Sequence, residues 1–148
     1  MNLKRMHPQR GIAAIELALL LPVLIVLLAM PLYLGRVFWH YSVAQKAAHD
    51  AVRYLASVPL AQMRDPIRIA ATVEATRSIV LEETADLQPG SIPVIVDVQC
   101  DGLSCMGVTT PTNVRVVVRL YMEDIFYAEI SQRTDLLTAD VTAVYVGI

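Results

Sequence analysis

Charge is what this chain has least of. Charged residues make up 18% of its 148 positions, against about 25% in an ordinary soluble domain. The net charge of -2 and the 6% aromatic content leave no basic stripe interleaved with rings, which excludes a nucleic-acid partner. Neither an internal repeat nor a low-complexity tract is present. Six glycines are too dispersed to build a phosphate-cradling loop. Ser104 has no G-x-S-x-G context, and His7, His40 and His49 lack the i,i+4 spacing of helical metal ligands. Glu123, Asp124 and Glu129 read as a solvated acidic loop. The expectation is a protein that is not an enzyme, with no cofactor, no metal and no small-molecule substrate.

Cysteine is equally sparse. Cys100 and Cys105 stand in CDGLSC, and an even count at close spacing fits a disulfide in an oxidising compartment. Asp101-Gly102 supplies the turn between them. Free thiols are the alternative reading; zinc is a poorer one, since two cysteines leave a tetrahedral site short of ligands.

The missing charge is concentrated in one place. Between Glu16 and Arg36 run 19 uncharged residues, LALLLPVLIVLLAMPLYLG. At about 1.5 Å per residue they extend roughly 28 Å as a helix, close to the hydrocarbon thickness of a bilayer. A basic front, MNLKRMHPQR, precedes them with Lys4, Arg5 and Arg10 and no acid. A secretory signal is the first reading of such a pattern. The apolar stretch is longer than a signal core, however, and no small-x-small cleavage site follows it, so the segment is expected to persist. Lys and Arg tie across the span, three against Arg36, Lys46 and Arg53. The undiluted cations of the front, with the cysteine pair beyond the span, place the N-terminus in the cytoplasm. Phe38, Trp39 and Tyr41 then fall at the membrane–water interface.

Glu16 is the informative residue, because an acid at the edge of an apolar span is costly and needs a partner or a task. A cut after Gly11 would leave Ile12 with a free amine and make Glu16 the fifth residue, one helical turn away. Without a cut, Glu16 is an acid snorkelling from an ordinary signal anchor.

The basic front, Gly11, Ile12 and Glu16 resemble a type IV prepilin cleavage signal. The run RGIAAIELALLLPVL (residues 10–24), Gly35-Arg36 and AAHDAVRYLA (residues 47–56) resemble the TadE-like (TadE/TadF) family of minor pilins or pseudopilins. The family's Glu-Gly-Ala-Arg signature reads His49-Asp50-Ala51-Val52-Arg53 here, without its glycine. The resemblance covers about the first 57 residues. It implies processing by a prepilin peptidase between Gly11 and Ile12, and a structural role in a Tad/Flp-type pilus with other subunits and an inner-membrane assembly platform as partners. A type II secretion-like pseudopilin is a variant that Pro22 and Gly35-Arg36 speak against.

Beyond the span, Val37, Tyr41, Ala44, Ala48, Ala51 or Val52, and Leu55 form an apolar stripe on the same helix. The helix is expected to end at Ser57-Val58-Pro59 and to bend at Pro22 or Pro31. Asp65-Pro66 opens a second helix to Glu83, with Ile69, Val73, Thr76 and Val80 buried. A turn follows at residues 85–91. Alternation then predicts strands over 92–99, 114–122 and 138–146. The first of these places Ile92, Val94, Val96 and Val98 on one face. The stretch 123–136 reads as a helical turn.

The expected fold is therefore α+β: a long N-terminal transmembrane helix with a small pilin-like head, a second helix plus an antiparallel sheet of about three strands. The expected divisions are a leader at 1–11, a membrane half at 12–35, an outer half at 36–58 and a periplasmic head at 59–148. The competing expectation, from another class, is an uncleaved signal-anchored binding module whose head recognises a ligand.

Overall fold

A computed structural model describes residues 10–87, 90–123 and 134–147. Residues 1–9 of the expected leader at 1–11, Pro89 of the expected turn, and residues 124–133 with Asp124 and Glu129 lie outside it.

Leucine and alanine dominate the first helix, α1, which runs from Arg10 to Ala56 with Pro22 and Pro31 inside it. The chain divides into two units, residues 1–36 and 37–148. In the first, the large apolar side chains of α1 stand exposed from Ile15 to Leu34.

The second unit is the head. Here α1 changes character: Ala44, Ala47, Ala48, Ala51, Val52 and Leu55 are buried. Four alanines without bulk let neighbouring elements approach the helix backbone closely. Tyr41 does not belong to this stripe; it is 40% exposed and accepts a hydrogen bond from Gln45 Nε2 at 2.9 Å, while His40 beside it is buried. After Pro59 comes a short helix, α2 (Leu60–Met63), which burial of Met63 anchors and sequence reading did not anticipate. Helix α3 (Pro66–Glu83) starts where Asp65 caps it: the carboxylate accepts from the N–H groups of Ile67 at 2.9 Å and Arg68 at 3.2 Å. Pro66 costs nothing at the first turn because its N–H would be an orphan there anyway. The buried row is Ile69, Thr72, Thr76 and Val80; Thr72 takes the fully buried place expected for Val73, which is only partly buried. Threonine can sit there because its hydroxyl donates to the Arg68 carbonyl at 2.9 Å, as that of Thr76 does to Thr72 at 2.8 Å.

Four strands follow: β1 (Ile95–Cys100), β2 (Leu103–Ser104), β3 (Asn113–Glu123) and β4 (Thr134–Val144). They form one antiparallel sheet in the order β2-β1-β3-β4. Strand β1 begins three residues later than expected. Pro93 cannot donate to a ladder, and the Ser91 N–H is taken by the Glu123 carboxylate at 2.9 Å. Ile92 is consequently exposed, not part of the inner face. The expected helical turn at 123–136 is strand at both described ends, because β3 reaches Glu123 and β4 starts at Thr134. The inner face holds Val96, Val98, Val114, Val116, Val118, Leu120, Ala139 and Val141. These join the buried residues of α1 and α3 in one hydrophobic cluster, which is how a one-sided sheet is covered. On the outer face Arg115 donates to both carboxylate oxygens of Asp140. That pairing holds the Asp140 carboxyl below the usual carboxylate range and raises Arg115.

The loop from β1 is tightly specified. Asp101 and Gly102 both have positive φ, 50° and 82°, the geometry of a two-residue hairpin turn. The Asp101 carboxylate accepts from the N–H groups of Thr112 and Asn113, and Cys100 and Cys105 are joined by a disulfide. Gly107, at φ 72°, lies so close to α3 that a Cβ would meet backbone atoms of Asp65 and Pro66 at 2.8 Å. Replacing both cysteines by serine is expected to lower head stability by about 2 kcal/mol, the chain-entropy value for so short a loop. A chemical denaturation midpoint unchanged from wild type would contradict this.

Candidate functional site: an apolar helix with one acid

From Ala13 to Gly35 the only ionisable acid is Glu16. The helix that carries it is long and apolar enough to cross a membrane, the sole such helix among the described residues, with a mean hydropathy of 2.7 in its most apolar window and 6% of that window buried. The core helix of a soluble domain would bury its leucines; these stand outside any protein core. Burying such side chains stabilises by about 1.5–3 kcal/mol each, so the surface is matched to hydrocarbon and not to water.

Gly11 and Ile12 lie in the first turn of α1, and Glu16 lies one turn after Ile12, exposed. Pro22 and Pro31 interrupt the hydrogen-bond series without ending the helix. A Cβ on Gly35 would meet nothing within 4 Å, and beyond it Phe38 and Trp39 are about two-thirds exposed. In the head, Lys46 binds Asp50 at 3.1 Å and Glu83 of α3 at 2.8 Å. These contacts, Glu83 first, raise the Lys46 pKa, and the Lys46 ammonium lowers that of Asp50. The pair is solvent-exposed and positions α1 against α3 more than it stabilises. Among the described residues, the structure does not bring the cysteine pair, Glu123 and His40 or His49 into one place. No group of three metal-capable side chains occurs among the described residues. What sequence reading missed is the β4 edge, unpaired among the described residues, and the tie of residues 145–147 to the end of α1. There Val146 N–H and Gly147 N–H donate to the Ala56 carbonyl at 3.1 and 3.2 Å, and Tyr145 Oη donates to that of Val58 at 2.8 Å. Partial burial pushes the Tyr145 phenol up.

The fold and this helix together define a class: a protein with a small α+β head and, among the described residues, one helix long and apolar enough to cross a membrane. Residues 11–53 match the family described as TadE-like protein, the family that the N-terminal motifs resemble. That family is one of structural pilus components and not of enzymes. No curated protein and no solved structure matches the chain.

Proposed function

We propose that this chain is a minor pilin or pseudopilin of a Tad/Flp-type pilus, cut by a prepilin peptidase between Gly11 and Ile12. The observation that carries the reading is Glu16: one acid in the exposed apolar stretch of α1, i,i+4 from the residue that a cut would turn into a free amine. Before cutting, residues 1–11 keep the front in the cytoplasm. Afterwards residues 12–35 lie in the lipid of the bacterial inner membrane, and the head faces the periplasm or the growing pilus. The Ile12 ammonium of one subunit then pairs with Glu16 of the same or a neighbouring subunit. An unpaired carboxylate in hydrocarbon is costly, so the pairing fixes axial register as subunits pack on the assembly platform.

The test is N-terminal sequencing of the membrane-bound protein from cells with an active peptidase. Ile12 is the expected first residue; an intact Met1 start would overturn the proposal. The exposed Leu103, Met106 and Val108 around the disulfide loop favour a second reading, an uncleaved tethered binding module. Such a module would function unchanged on an unrelated membrane anchor, whereas a pilin subunit would not.

A further inference from the structure

The two edges of the sheet are unlike. On one side β2, two residues long and folded back by the disulfide-closed hairpin, pairs with Gln99 and Cys100 of β1 and leaves only the short stretch 95–98 unpaired on that edge among the described residues; so short an edge offers few groups to a partner. On the other side β4 is 11 residues long and pairs only with β3 among the described residues.

The register reveals which backbone groups of β4 are spoken for. Each β4 residue opposes the β3 residue that makes their numbers sum to 257, as Ala139 opposes Val118 and Val144 opposes Asn113 (139 + 118 and 144 + 113). Tyr145 N–H donates to the opposing Thr112 carbonyl at 2.9 Å. Hydrogen-bonded positions alternate along an antiparallel pair, so odd-numbered β4 residues bond inward to β3. Even-numbered ones, Leu136, Thr138, Asp140, Thr142 and Val144, turn their N–H and C=O groups outward. Val146 continues the series and confirms its direction, because its N–H points away from β3 to the Ala56 carbonyl of α1. Among the described residues, only there is the row capped. None of the usual shields, a lysine, a proline or a bulge, interrupts β4. At its capped end the edge opens into a cleft of about 670 Å³ lined by Arg53, Tyr54, Ser57, Val144 and Val146.

A row of alternating donors and acceptors is complementary to one kind of partner, an extended polypeptide backbone. We infer that β4 is the edge on which a partner pilin-type subunit lays an extended segment, adding a fifth strand to the sheet. This rests on the proposed function, because it identifies what the subunit holds on to. The added segment carries apolar residues at every second position, to prolong the inner row of Leu137, Ala139 and Val141, and places a side chain in the cleft. A second copy of this chain is the competing occupant, and the test below tells the two apart.

The test is residue-resolved amide hydrogen exchange on the full chain, alone in detergent and then in membranes assembled with its Tad partner subunits. Alone, Leu136, Thr138, Asp140 and Thr142 should exchange fast, and their odd-numbered neighbours slowly. On assembly the even-numbered amides should slow by about tenfold or more. Thr138→Pro removes only an outward N–H, so it should unfold like wild type yet abolish that protection; Thr142→Lys, which leaves the backbone intact, should weaken it. Even-numbered amides already slow in the isolated chain, or unchanged on assembly, would overturn the inference. So would protection reproduced by this chain alone at high concentration. If that happens while the protein begins at Ile12 and pili form, the inference fails and the pilin reading stands; a Met1 start removes the pilin reading instead.

Discussion

Glu16→Val is expected to leave the leader cut and the pilus missing. The peptidase would act at Gly11 and Ile12, four residues upstream, whereas assembly would need the carboxylate after the cut. In the apolar packing of spans the new ammonium would lose its counter-charge, and breaking one side of such a buried pair costs about 3–5 kcal/mol. At 1.4 kcal/mol per tenfold, the association constant falls by roughly two orders of magnitude or more, enough to empty a pathway that must capture each subunit from a dilute membrane pool. Immunoblotting for the shortened protein and counting pili by electron microscopy separate the two steps. Glu16→Asp, which keeps the charge, should retain part of the piliation. A Glu16→Val strain with normal pili would remove register-setting from the role of this residue.

The second large effect lies in the head. Leu55 has no exposed surface and sits where α1 meets the common cluster. Leu55→Ala should cost about 2–5 kcal/mol through lost burial and the cavity left behind, a large share of the 5–15 kcal/mol that holds an ordinary domain together. Calorimetry of the detergent-solubilised protein should show the head transition fall by on the order of 10 °C or more. Leu103→Ala, at a position 74% exposed, should barely move it. Equal transitions for Leu55→Ala and wild type would mean that the outer half of α1 is not part of the folded head.

How much could be read before the fold was known depended on whether a residue's role was local. The end of α1 near Pro59, the cap at Asp65, the first-turn Pro66 and the Asp101-Gly102 turn are decided by neighbouring residues, and each stands where its chemistry put it. The Glu16 pattern was legible for the same reason, being a spacing along one helix. The limits of β1 were not, because Pro93 and the claim of Glu123 on Ser91 set them across 32 positions. Helix α2 is only four residues long, too short for a periodicity. The free edge of β4 could not be read at all, since a sequence shows alternation but not which strand ends up outermost.

The bond from Tyr145 to Val58 spans 87 positions, and through it and its neighbours the stretch after β4 closes over the end of the first helix. As the chain is made, then, the alanine side of α1 appears early and stays uncovered until β4 is in place. The head cannot fold in chain order: its earliest layer waits on one of its latest strands.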